Sequence, residues 1–208
     1  MQIFRIFAPA MIYIDDHLDE LKLDEALLEI SEQRRQQALR IRHEQGQREC
    51  VAAYLLLKRA LREQFGMDGN PELVYGKQAL REQPEKGASQ KPRIAGRADI
   101  HFNLSHCKTA VACAVDVRPV GIDIESIRPF KESLARYTMN EQELQVIMDS
   151  ERPDVEFIRL WTMKEALLKL SGEGISTQMR DVLCGEQKHF STIVNLERQY
   201  VCTLCTNE

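Results

Sequence analysis

The stretch at residues 50–66, CVAAYLLLKRALREQFG, constrains the fold of this chain more than any other. Val51, Tyr54, Leu55, Lys58, Leu61 and Phe65 recur at helical spacing on one face, and Leu56, Leu57 and Ala60 widen the apolar side. Gly66 stands where a helix ends in a left-handed residue. So apolar a helix must lie across another layer, and the chain offers strands to receive it. MQIFRIFAPAMIYI opens the sequence as a strand, and TIVNLE and QYVCTLC close it as two more. AVACAVDV (110–117) and VGIDIE (120–125) are apolar runs separated by Arg118-Pro119, which predicts a hairpin. Further helices are predicted over 19–30, after an N-cap at Ser31, after an N-cap at Asn140 with Glu143 at its N3 position, and over 154–170. The chain is therefore α+β.

Composition bounds the function. With 43% hydrophobic and 29% charged residues the chain is globular rather than disordered. A net charge of −4, from 28 basic and 32 acidic residues, lacks the footprint of a nucleic-acid binder. Cys50, Cys107, Cys113, Cys184, Cys202 and Cys205 are scattered, mostly through apolar runs, which points to a reducing, cytoplasmic setting. Cys202 and Cys205 stand three apart on a strand and so face opposite sides, a poor metal site. At the N-terminus Ala8-Pro9-Ala10 imitates a cleavage site, but Arg5 interrupts the apolar run and no basic segment precedes it. The uncharged run 6–14 falls far short of the ~20 residues a membrane span needs.

Three segments carry polar residues that their local structure does not require. In VGIDIE, Val120, Ile122 and Ile124 share one face, and Gly121, Asp123 and Glu125 the other. Neighbouring carboxylates repel unless a cation or proton lies between them, and oxygen-only ligands suit Mg²⁺. In WTMKEALLK, Trp161, Glu165 and Lys169 lie on one helical face. HFNLSHC begins as a strand and breaks at Ser105-His106, where a hydroxyl, an imidazole and backbone N–H groups can reach a phosphate oxygen. Taken singly, these segments read as a charged strand face, an i,i+4 Glu–Lys pair and a turn.

Together, FNLSH, GIDIE and WTMKEALLK, in that order, resemble the signature of the 4′-phosphopantetheinyl transferase superfamily in its larger, single-chain Sfp-type form. The resemblance covers roughly residues 34–205. It implies a pseudo-two-fold pair of similar α+β lobes, residues 1–115 with the 3′-phosphate and adenine side of coenzyme A and residues 116–208 with the metal site. It implies transfer of the 4′-phosphopantetheine arm of coenzyme A to a serine of an acyl or peptidyl carrier protein, leaving 3′,5′-ADP. Asp123, Glu125 and Glu165 would hold Mg²⁺, and Glu165 and Lys169 would serve catalysis. Glu143, with Glu141 as the other candidate, or a metal-held hydroxide would take the serine proton. Arg48, Lys91, Pro92, Ser105, His106, Lys164 and Lys169 would bind coenzyme A. Lys91-Pro92 stands for a family G-K-P whose glycine is here Gln90, and Gly76-Lys77 is a second candidate without the proline. The family's earlier basic pair falls near Arg34 and Arg35.

Two other readings share these residues. A Mg²⁺-dependent phosphohydrolase acting on a nucleotide diphosphate would use the same carboxylates without a carrier. A non-catalytic module binding coenzyme A or a carrier would not need all three carboxylates. Fatty-acid, polyketide and peptide-synthetase carriers all remain open. An internally duplicated fold needs no partner to complete its cleft, which points to a monomer.

Overall fold

The computed structural model describes residues 2–4, 10–75, 91–172, 179–185 and 188–207. In chain order the strands are β1 (Gln2–Phe4), β2 (Met11–Asp15), β3 (Leu73–Val74), β4 (Arg93–Ile94), β5 (His101–His106), β6 (Val111–Asp116), β7 (Val120–Ser126), β8 (His189–Asn195) and β9 (Tyr200–Thr206). The α-helices are α1 (Leu23–Leu28), α2 (Glu32–Leu39), α3 (Glu44–Phe65), α4 (Glu132–Thr138), α5 (Glu141–Met148) and α6 (Pro153–Ser171). Two antiparallel sheets dominate, one in the order β1-β2-β6-β5 and one in the order β7-β9-β8, and β3 and β4 pair separately. The architecture is α+β, with no helix among the described residues long and apolar enough to cross a membrane.

The elements stack as helix, sheet, sheet, helix. The apolar face of α3, with Val51, Tyr54, Leu57 and Leu61, covers the first sheet at Tyr13, Val111, Cys113 and Val115. Gly66 ends α3 at φ +63°, a conformation a side chain resists. The opposite face of that sheet, with Ile12, Ile14, Ala112 and Ala114, meets Val120, Ile122, Ile124, Cys202 and Leu204 of the second. Small alanines allow the two sheets to approach. The alternate residues of β9 then face α6, where Cys205 packs with Ala166, Leu167 and Leu170. Cys202 and Cys205 thus lie in different layers, and no disulfide joins any of the six cysteines.

Three expectations need correction. β6 and β7 do not form a hairpin: β6 pairs with β2 and β5, and β7 pairs with β9. Both edges of β6 are already taken, so the exposed residues 117–119 carry the chain to the other sheet. The single strand expected at the N-terminus is two, β1 and β2, antiparallel with Gln2 opposite Ile14. The helix expected over 19–30 is only a 3-10 turn at Leu18–Glu20 and the six-residue α1. Ser31 caps α2 as expected, its Oγ accepting from Arg34 N at 3.2 Å. Residues 76–90 lie outside the described residues, and Arg93–Ile94 forms β4 against β3.

Candidate active site

β5 and β7 are edge strands of different sheets, and they meet through side chains. An edge strand carries backbone N–H groups that need partners. Asn103 Oδ1 accepts from Ile122 N at 3.4 Å, and Ser105 Oγ accepts from Ile124 N at 3.3 Å. The FN-x-S segment therefore docks one sheet on the other. Asn103 was not singled out from sequence, where it shows only as a polar residue between Phe102 and Leu104; its burial comes from the structure.

The same junction positions the acidic group. Asp123 is buried on β7 beside α6, where its Oδ1 accepts from Ser105 Oγ at 2.8 Å and from Lys169 Nζ at 2.6 Å. Lys169 Nζ also donates to Ser105 Oγ at 2.9 Å. The second oxygen, Asp123 Oδ2, is buried without a partner, as is Glu165 Oε1. Burial first, then the charge of Asp123, raises the pKa of Glu165; Glu125 adds to this and Lys169 opposes it. Glu125 is raised for the same two leading reasons, with Arg128 and Lys169 opposing. The Trp161 indole N–H comes near the Glu125 carboxylate without completing a hydrogen bond, while its ring packs at 6.2 Å from Phe157.

Gly121 sets this geometry. A Cβ there would fall 2.0 Å from Ala166 O and 2.6 Å from Leu170 N, so β7 lies directly against the backbone of α6. Asp123 and Glu125, on the same face, are thereby held beside Lys169, Glu165 and Trp161.

The donor set suits a hard divalent cation: carboxylates only, two buried orphan oxygens, and two glutamates whose ionisation is opposed by burial and then by like charge. As they stand, no three carboxylate, imidazole or thiol groups among the described residues are close enough to form a metal-ligand cluster. The positive charge at Asp123 is supplied by Lys169.

Other expected site residues stand around this group or apart from it. Lys91 Nζ donates to Leu170 O at 3.0 Å, at the end of α6 beside Lys169; burial, helped by Arg93, lowers its pKa to about 8. Pro92 follows it, half-buried, and both Gln90 and the alternative pair Gly76-Lys77 lie outside the described residues. His106, at the exposed end of β5, places Nδ1 3.0 Å from Glu49 Oε2 of α3. Glu49 had not been singled out, because the contact joins residues far apart in sequence. Arg48 is held by Glu44 Oε1 at 2.7 Å and by the carbonyls of Leu18 and Leu21. With Lys22, Arg42 and Gln47, and with the acidic Asp24, Glu25 and Glu44, it lines an open cleft of about 650 Å³. Arg34 donates to Cys50 O at 2.9 Å and lies over the Tyr54 ring, tying α2 to α3, and Arg35 pairs with Glu32 on its own helix.

Glu143 and Lys164 are not brought into the Asp123 group. Lys164 is fully buried and donates to Met179 O at 2.6 Å, Arg180 O at 3.2 Å and Thr138 O at 3.3 Å, with Glu143 Oε2 at 2.7 Å. Glu143 also completes a capping box with Asn140 at the start of α5. An ammonium has only three N–H groups, and these are spent inside the protein. Lys164, expected as a phosphate contact, has its stem running inward to these carbonyls.

Comparison with known proteins agrees with this geometry. The family model described as the 4′-phosphopantetheinyl transferase superfamily matches residues 119–207, which include β7, α6 and β9. A 4′-phosphopantetheinyl transferase of Bacillus subtilis is 30% identical over 168 residues, 79% of this chain and 70% of its own. The 4′-phosphopantetheinyl transferase psf-1 of Bacillus pumilus is 32% identical over 174 residues, 83% of this chain and 70% of its own. The 4′-phosphopantetheinyl transferase AcpT of Salmonella typhimurium is 37% identical over 128 residues, 59% and 57% of the two chains. With carboxylates from a strand and a helix gathered around one lysine and relatives of this identity and coverage, the chain belongs to the 4′-phosphopantetheinyl transferase superfamily.

Proposed function

We propose that this transferase moves the 4′-phosphopantetheine arm of coenzyme A onto a serine hydroxyl of an apo acyl or peptidyl carrier protein. The hydroxyl oxygen attacks the β-phosphorus, the bond from that phosphorus to the bridging oxygen breaks, and 3′,5′-ADP leaves. The observation that carries this reading is the Asp123–Lys169 pair, with Glu125 and Glu165 in its electrostatic range and Asp123 Oδ2 and Glu165 Oε1 buried without a partner. A phosphohydrolase or a non-catalytic module gains no support from the relatives named above, all of them transferases.

Asp123, Glu125 and Glu165 would hold Mg²⁺. Its chemistry there is charge screening at the diphosphate of coenzyme A and at the leaving phosphate. Lys169, on the same helical face as Glu165, neutralises further charge. Lys91, at the end of α6, and His106, at the end of β5, flank this group and serve the phosphates. Arg48 lies one residue from Glu49, the partner of His106, and lines a cleft in which Lys22 and Arg42 also stand among Asp24, Glu25 and Glu44; to reach the 3′-phosphate it must leave Glu44. Glu143 has Oε2 committed to Lys164 and to Asn140 N, and Oε1 buried. For it to accept the serine proton, the junction of α4 and α5 must open. Six thiols without a disulfide suit a cytoplasmic enzyme, and we assign it as a monomer of two lobes, 1–115 and 116–208.

The test is intact-mass spectrometry of apo carrier incubated with this protein, coenzyme A and Mg²⁺, with an EDTA control. A gain of one phosphopantetheine that EDTA prevents is expected, and Asp123→Ala should abolish it in a folded protein. Coenzyme A broken down without carrier modification would instead support the hydrolase.

A further inference from the structure

The hydroxyl of Ser105 is fully used inside the protein. A serine hydroxyl has one proton to donate and two lone pairs to accept with. Here it donates to Asp123 Oδ1 at 2.8 Å and accepts from Ile124 N at 3.3 Å and Lys169 Nζ at 2.9 Å. Its residue is only 6% exposed. To donate to a phosphate oxygen it would have to release Asp123.

The consequence falls on Asp123. Both of its charged or hydroxyl donors, Ser105 and Lys169, sit on Oδ1. Oδ2 is left buried and unpartnered, in the electrostatic company of Glu125 and Glu165. A carboxylate anchored through one oxygen presents the other in a fixed direction. Lys169 alone could not do this, because an ammonium on a long stem can follow either oxygen as the carboxylate turns. The hydroxyl of Ser105 is tied to β5 on a short side chain and to Ile124 N of β7, so it fixes the orientation.

We infer that Ser105 is a positioning residue that acts through Asp123, holding Oδ1 so that Oδ2 is presented to a divalent cation, and that it does not bind the phosphates of coenzyme A through its hydroxyl. This rests on the proposed role of Asp123 as a metal ligand.

The test reads cation binding without coenzyme A, using Mn²⁺ followed by electron paramagnetic resonance on the full chain. Ser105→Ala is expected to weaken Mn²⁺ binding by roughly 10–100-fold, the usual effect of removing a hydrogen bond to a ligating group. Ser105→Thr, which keeps the hydroxyl, restores the affinity. Ser105→Cys, nearly isosteric with a weak donor, falls between them and serves if the alanine variant does not fold. Binding of adenosine 3′,5′-bisphosphate in EDTA stays unchanged in all three. The inference is overturned if Ser105→Ala or Ser105→Cys binds Mn²⁺ like the parent, or if it loses the bisphosphate in EDTA. Asp123→Asn separates the two levels. If it abolishes Mn²⁺ binding while Ser105→Ala does not, only the role of Ser105 fails. If the parent binds no Mn²⁺, or Asp123→Asn leaves binding intact, the metal assignment fails and the role of Ser105 with it.

Discussion

Lys169 Nζ lies 2.6 Å from Asp123 Oδ1, joining the last turns of α6 to the middle of β7. The lysine side chain is 28% exposed and the aspartate 5%, so the pair reaches solvent through the lysine only. In such a place a cation both balances the buried carboxylates and faces an incoming phosphate. Lys169→Met is expected to lower the turnover of carrier modification about 100-fold or more, the scale of losing one preorganised charge partner. Near-normal turnover in the folded variant would remove Lys169 from the reacting group.

Glu165 carries the opposite liability. Its pKa is raised in the folded protein, so the native state holds its proton more tightly than the unfolded chain. Stability contributed this way is present at low pH and is lost as pH rises from the ordinary carboxylate range through the raised value. Glu165→Gln should therefore stabilise the metal-free protein at neutral pH while abolishing transfer. A gain of about 1 kcal/mol, or roughly 2–4 °C in Tm, is expected at pH 7 and none at pH 4, by calorimetry with EDTA. A loss of Tm at pH 7 would show that the carboxylate is satisfied by contacts other than a cation.

Lys91 gives a second pH signature. Its pKa is lowered to about 8 by burial, so as pH rises above that value the folded protein gives up a proton the unfolded chain still holds. Metal-free stability should rise with pH between about 8 and the ordinary lysine range, and Lys91→Met should flatten that rise. If Lys91 faces phosphate, the KM for coenzyme A climbs over the same window in the parent and not in the variant. Parallel KM profiles would confine Lys91 to its bond with Leu170 O.

Lys164 and Glu143 should behave as a structural pair. Breaking a buried ion pair from one side leaves an uncompensated charge, so Lys164→Met is expected to cost roughly 3–5 kcal/mol in urea denaturation. The double variant Lys164→Met, Glu143→Leu should recover much of that. A stable Lys164→Met protein with lost affinity for coenzyme A would return Lys164 to the phosphates.

Much of this was readable from sequence where the causes are local. The 3.6-residue period of α3, the αL glycine after it, the Ser31 cap and the Asn140–Glu143 capping box all depend on residues within a few positions of one another. Strand pairing is not local. Nothing near Arg118-Pro119 records that β6 already has β2 and β5 on its two edges. Ser105 read as turn chemistry because its partners, Asp123, Ile124 and Lys169, are brought in by tertiary structure. The setting of Lys164 was not readable, because the carbonyls that hold it, of Thr138, Met179 and Arg180, are brought in by tertiary structure.

The passage of the chain between its sheets at residues 117–119 has a practical consequence. All strands of the four-stranded sheet precede it, and all strands of the three-stranded sheet follow it. Ser105, His106 and Glu49 come from one side of that point, and Asp123, Glu125, Glu165 and Lys169 from the other. Cut in this exposed link, the molecule would become two pieces, each with half of an apolar interface and half of a site. The enzyme could then be used as a complementation pair, in which restored labelling of a carrier reports that the halves have found each other.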